Sequence, residues 1–156
     1  MTSVSAGILL YRRVKGELLV LLAHPGGPFW RRKDLGAWSI PKGELAEGEE
    51  REAAARREFA EEMGMPAVGA LQSLGELRQS GGKRVEVFSL EGDFDVDSLR
   101  SNEFRLEWPP HSGRQQSFPE VDRAEWFSIP LAEQKILASQ RPFLERLRQR
   151  LEETDR

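Results

Sequence analysis

The sequence predicts an α/β fold in which a central mixed β-sheet is packed between helices. Three observations predict it. Strand-length apolar runs stand on both sides of a strong mid-chain helix, that helix carries a clear stop signal, and the C-terminal region spaces its leucines as a helix does. Elements in that order build layers around one hydrophobic core.

Ser5 to Tyr11 and Glu17 to Ala23 are β-type runs, joined by Arg12-Arg13-Val14-Lys15-Gly16. Leu18-Leu19-Val20-Leu21-Leu22 is continuously apolar, and its length and bounding turns favour a strand covered on both faces. His24-Pro25-Gly26-Gly27-Pro28-Phe29-Trp30 is a turn-rich loop in which His24 reads as a turn residue. Trp38 to Lys42 is a short extended piece leading into Gly43. A helix follows, built on Ala53-Ala54-Ala55 and ended by Gly64 and Pro66. Ala70 to Gln79 and Arg84 to Leu90 read as strands flanking the turn Ser80-Gly81-Gly82-Lys83. Asp93 to Asn102 is a polar loop or short helical turn. Phe104 to Trp108 alternates like a half-buried strand, and Pro109 to Arg114 is a loop. Glu125 to Ile129 is a short strand. Leu131 to Leu137 and Pro142 to about Glu152 are helical, the latter with Leu144, Leu147 and Leu151 on one side. Neither a repeat nor a linker interrupts the chain, so residues 1–156 read as a single domain.

Composition narrows the function. The chain has 156 residues, enough for one sizeable core, and its net charge of −3 gives no basic excess for long nucleic acid. It has no cysteine, which excludes thiol catalysis and Cys-ligated zinc, and only two histidines, His24 and His111. The apolar runs are too short for a membrane span, and the N-terminus lacks a signal-peptide layout. A soluble cytoplasmic protein is expected, with its oligomeric state left open, a homodimer included.

The stretch from Gly43 to Met65 carries the chemistry. Glu58, Glu61 and Glu62 stand at i, i+3 and i+4, so their carboxylates share one helix face. Ala55, Phe59 and Met63 form the adjacent apolar stripe, and Arg57 stands beside Glu61. Three carboxylates on one turn repel each other unless a cation sits among them, and hard oxygen ligands suit Mg²⁺ or Mn²⁺. A solvated charged helix face is the competing reading of those glutamates taken alone.

Gly43, Glu49, Arg57, Glu58, Phe59, Glu61, Glu62, Gly64 and Met65, in that spacing, match every fixed position of the Nudix hydrolase signature. The chain thus resembles the MutT-like Nudix hydrolases, a likeness that extends to the strand before the signature and the Trp126 strand. The resemblance implies a Nudix fold, an α/β/α sandwich with a central mixed β-sheet. It also implies a metal-dependent pyrophosphohydrolase that uses water to cleave a phosphoanhydride bond in a nucleoside-diphosphate-linked substrate, such as a nucleotide or dinucleoside polyphosphate. By position in the pattern, Glu58, Glu61 and Glu62 are the Mg²⁺ ligands, joined by the backbone carbonyl of Lys42. Gly43, Glu49, Arg57 and Gly64 look like support for the site, although Glu49 also reads as an ordinary first-turn charge favoured by the helix dipole. Glu120, six residues before Trp126, resembles the place where relatives carry a further metal ligand or general base, with Asp122, Glu103 and Glu107 as competitors.

Substrate contacts are harder to read. Trp30, Phe29 and Trp38 are candidates to stack on a base or to be plain core. Lys42 and the cluster Arg31, Arg32 and Lys33 are candidates for outer phosphates, as are Lys83, Arg84 and Arg114, against the alternative of solvated surface charge. Pro41-Lys42-Gly43 resembles relatives acting on dinucleoside polyphosphates or inositol pyrophosphates. A non-catalytic Nudix-fold module for nucleotides is the rival reading. Loss of a signature glutamate would favour it, and none is lost here.

Overall fold

A computed structural model describes residues 3–155. In chain order the elements are β1 (Val4–Val14), β2 (Glu17–Pro25), β3 (Lys42–Glu44), α1 (Arg51–Met63), β4 (Gln72–Arg78), β5 (Arg84–Glu91), β6 (Glu103–Glu107), β7 (Gln115–Pro119), β8 (Val121–Ser128), α2 (Ile129–Lys135) and α3 (Arg141–Thr154). The main sheet runs β4–β5–β1–β2–β8, with β3 also on β1, while β6 and β7 form a separate hairpin. β1 is parallel to β5 from Val4↔Arg84 to Tyr11↔Glu91 and antiparallel to both β2 and β3, so the sheet is mixed as expected.

Alternation along the central strands divides the core into two layers. Ile8, Leu10, Leu21 and Ala23 pack with Ala54, Ala55, Phe59 and Met63 of α1. Leu9, Val20 and Leu22 pack on the other face with Phe143, Leu144 and Leu147 of α3. The result is an α/β/α sandwich, and the apolar run in β2 is covered on both faces. Leu147 is fully buried. Leu147→Ala is therefore expected to cost about 2–5 kcal/mol of stability. Urea unfolding checks this, and a loss below about 1 kcal/mol would show that the site collapses around the smaller residue.

β8 begins at Val121 rather than Glu125, and Ile129 opens α2 instead of closing the strand. Three further elements differ from the sequence reading. β1 continues through Arg12, Arg13 and Val14, because the reversal needs only Lys15 and Gly16, both at positive φ (52° and 81°). Two central residues at positive φ match the right-handed twist of a hairpin. Secondly, β2 runs on through His24 and Pro25, paired with β8, so His24 is a strand residue rather than a turn residue. Finally, Gln115–Pro119 is a strand that its polar Gln-Gln-Ser composition conceals; it is held by pairing with β6, including Phe104↔Phe118.

α1 ends where expected. Gly64 adopts φ 82° and donates its N–H to the Ala60 carbonyl. A side chain there would also strike the backbone of Arg100. This fixes the last turn of α1, which carries Glu61 and Glu62.

Candidate active site

α1 begins at Arg51, so Glu49 lies in the loop before it and outside its first turn. Arg57 reaches back to that loop with a forked pair of bonds, Nε to Glu49 Oε2 and Nη2 to Glu49 Oε1, both 2.9 Å. Such bidentate pairs fix geometry as well as charge. Glu49 also accepts the Ala46 N–H, and these donors pull its carboxyl down to about 2. The remaining Arg57 donors turn to the helix face and β3. Nη1 bonds Glu58 at 2.8 Å and Glu61 at 3.2 Å, and Nη2 donates to the Glu44 carbonyl at 3.0 Å. One guanidinium thus ties the loop to two of the three helix carboxylates.

Gly43 on β3 faces that cluster. A Cβ added there would fall on the carboxyl group of Glu58, well inside contact distance. Gly43→Ala is expected to leave the fold intact and displace Glu58, lowering turnover roughly a hundredfold, the scale for a misplaced active-site group. Unchanged turnover would show that Glu58 is free to move.

Glu62 is half-buried on the same face. Burial, followed by the charges of Glu58 and Glu120, pushes its carboxyl up to about 8, while the Lys42 charge and backbone N–H pull the other way. The Glu120 carboxyl is also raised, first by burial and then by the charges of Glu58 and Glu61. Glu120, just after β7, therefore lies within the electrostatic field of the helix carboxylates.

Backbone bonds hold Glu120 there. Its N–H donates to the Asn102 carbonyl at 2.8 Å, and the Asn102 N–H donates to the Glu61 carbonyl at 2.9 Å. Its own carbonyl accepts the Gly26 N–H at 2.9 Å. Asn102 thus clamps α1 to the Glu120 turn. Main-chain groups do this work, so no side-chain pattern announces it.

The competing acids are placed elsewhere. Asp122 Oδ1 lies 2.7 Å from His24 Nδ1. Glu107 accepts the His111 N–H, and Glu103 is exposed on β6. His24 is 0% exposed, with its Nε2 2.6 Å from the Lys33 carbonyl and its ring edge-on to Trp38. It braces the loop carrying Trp30 to Lys33 against β8.

The aromatics divide. Trp38 is 1% exposed, donates Nε1–H to Asp34 and packs on Phe127, so it is core and unavailable to a ligand. Trp30, Phe29, Phe104 and Leu106 line a cavity of about 390 Å³ that Glu120 also borders. Arg31, Arg32 and Lys33 line a second cavity of about 300 Å³ with Phe29 and Trp108. Lys42 belongs to neither; it stays beside Glu62. Arg84 pairs with Glu76 at 3.7 Å.

Among the described residues, no three Asp, Glu or His side chains stand in ready coordination geometry. Glu58 and Glu61 are instead turned to Arg57. The donors that α1 and the Glu120 turn offer are all carboxylate oxygens, the type hard divalent cations prefer. No described helix is long and apolar enough to cross a membrane.

A mixed-sheet sandwich with a glutamate-rich helix clamped to a turn-borne acid is the arrangement of a known protein family. The profile of the NUDIX domain matches residues 1–147, and the chain belongs to that family. Over 57 residues it is 44% identical to an RNA pyrophosphohydrolase of Caulobacter vibrioides, an alignment spanning 33% of this chain and 33% of the relative. The fold is that of a C. elegans Ap4A hydrolase in a binary complex, with TM-score 0.66 and 22% identity over 96% of this chain and 98% of the other. It is equally that of the NUDIX domain of Shewanella oneidensis NrtR, complexed with ADP ribose, with TM-score 0.68 and 18% identity over 97% and 89%.

Proposed function

We propose that this chain is a divalent-metal-dependent pyrophosphohydrolase acting on a nucleoside-diphosphate-linked substrate. One observation supports the reading: Glu120, on a turn clamped to α1 through Asn102, borders an aromatic-lined cavity and feels the charges of Glu58 and Glu61 on the signature helix. The donor chemistry fits Mg²⁺, with Mn²⁺ as an alternative. Mutual repulsion around half-buried Glu62 is the kind a cation relieves. The four glutamates and the Lys42 backbone are the groups that would hold it. Bound there, the cation supplies charge neutralisation for phosphate oxygens and lowers the pKa of a water.

The chain's own residues supply the rest. Arg57, anchored by Glu49, keeps Glu58 and Glu61 at fixed spacing. The Lys42 ammonium beside Glu62 offers a positive charge to phosphate oxygens. Glu120 stands on a separate turn, where it can accept a proton from water attacking the phosphorus. Trp30 and Phe29 offer apolar faces to a base, whose stacking excludes solvent next to the reacting group.

Mg²⁺-dependent product release by purified protein tests this. The panel is nucleoside triphosphates, dinucleoside polyphosphates, nucleotide sugars and inositol pyrophosphates, each repeated with chelator and with heat-inactivated protein. Chelator-sensitive release from at least one nucleoside-containing member is expected. Nucleotide binding without turnover across the panel would instead favour a non-catalytic binding module.

A further inference from the structure

The basic cluster and Glu120 line different cavities. Phe104, Leu106 and Trp108 alternate with exposed Arg105 and Glu107, forming a half-buried row along the hairpin. The register Glu103↔Pro119 places Glu120 at the start of that row. Phe104 and Leu106 border the cavity beside Glu120, whereas Trp108 borders the basic one. Phe104 and Trp108 stand four positions apart along the extended chain, roughly 13 Å. Phe29 lines both cavities and meets Trp108 edge-on, with centroids 5.3 Å apart.

Inside the basic cavity the cations differ. The Lys33 ammonium sits over the Trp30 ring at 5.2 Å. Arg31 and Arg32 are exposed, and no carboxylate among the described residues pairs with either. Free guanidinium forks in an aromatic-edged recess match phosphate oxygens. A phosphate chain extending from the carboxylates toward Arg31 and Arg32 would first cross the apolar walls of the intervening cavity. A nucleoside seated in that cavity, with its 5′ anhydride at the carboxylates, presents the far side of its ribose to the basic recess.

We propose that the recess of Arg31, Arg32 and Trp108 binds a phosphate carried on the 2′ or 3′ oxygen of the substrate's ribose. Favoured ligands then bear phosphate on both sides of the sugar. This rests on the nucleotide reading of the site given above. Two sources share the chemistry: a 2′- or 3′-phosphorylated mononucleotide, and the first phosphodiester of a short single strand. In the second case Trp108 stacks the next base, as aromatic platforms do in single-strand binding. The net charge of −3 is compatible with one such contact but not with a long electrostatic track.

Calorimetric titration of the full chain with Mg²⁺ tests this, using three ligands without a phosphoanhydride: AMP, adenosine 3′,5′-bisphosphate and the dinucleotide pApA. The bisphosphate is expected to bind about tenfold tighter than AMP, as one added charge-assisted contact gives. In the Arg31→Ala/Arg32→Ala double variant the bisphosphate-to-AMP affinity ratio should fall to about one. A further gain for pApA that Trp108→Ala removes identifies the strand as the source; equal gains identify the phosphate alone. Equal affinities for all three ligands, or a gain that survives the double variant, overturn the proposal while leaving the hydrolase reading in place. Binding of none of the three removes the nucleotide reading and this proposal together.

Discussion

Glu62→Gln is expected to lower Mg²⁺-dependent turnover roughly 10²–10³-fold, the scale for losing a preorganised electrostatic group, and to stabilise the metal-free protein at pH 8. Both effects come from one placement. Burial, Glu58 and Glu120 hold the native Glu62 carboxyl up at about 8, whereas an unfolded glutamate titrates at about 4.3. Between those values the folded protein keeps a proton that the unfolded chain has lost. Stability of the metal-free protein therefore falls as pH rises through that window. Gln keeps the shape and cannot ionise, so the variant should lose much of that fall. Its Tm at pH 8 in chelator should rise above that of the parent, with little difference near pH 4. Parallel Tm-against-pH curves would show that Glu62 is not strained by its neighbours. Near-normal turnover would remove it from the set of metal-holding groups.

That strain was only half legible in the sequence. The i, i+3, i+4 spacing places three carboxylates on one face of α1, and the stripe of Ala55, Phe59 and Met63 shows which side is buried. Gly64 as the C-cap is equally local. These features were readable because helix geometry depends on neighbours within one turn. Contacts between remote segments were not. The pairing of His24 with Asp122 spans 98 positions, and the Asn102 clamp uses backbone groups common to every residue type. β7 is not legible in the sequence because its partner strand, rather than its own composition, makes it a strand. Trp38 and Trp30 are alike in sequence, but one is sealed beneath His24 and the other lines a cavity. Likewise, nothing local to Arg31, Arg32 and Lys33 shows that they line a different cavity from Glu120, with Phe29 on both.

Glu120→Gln is expected to lower kcat by roughly a hundredfold or more with a smaller change in KM, the pattern for losing a general base or a transition-state charge. The helix presents its carboxylates from one side, whereas attack in line with the leaving oxygen needs a group on another element. On the proposed reading Glu120 meets that need. It stands on its own turn, clamped through Asn102 and Gly26, and it shares a charge field with Glu58 and Glu61. Asp122, two positions on, serves the His24 brace. Asp122→Asn keeps an oxygen for that brace and should cost much less in kcat. Its effect should fall mainly on KM if the loop of Trp30 to Lys33 contacts substrate as proposed, because His24 also holds the Lys33 carbonyl. His24→Gln should resemble Asp122→Asn in this split rather than Glu120→Gln. Steady-state kinetics of the three variants on one substrate decide the matter. If Asp122→Asn cripples kcat while Glu120→Gln is mild, the two roles are exchanged. If both leave kcat intact, proton acceptance belongs to the helix face, where Glu58, seated on Gly43, is the first group to test.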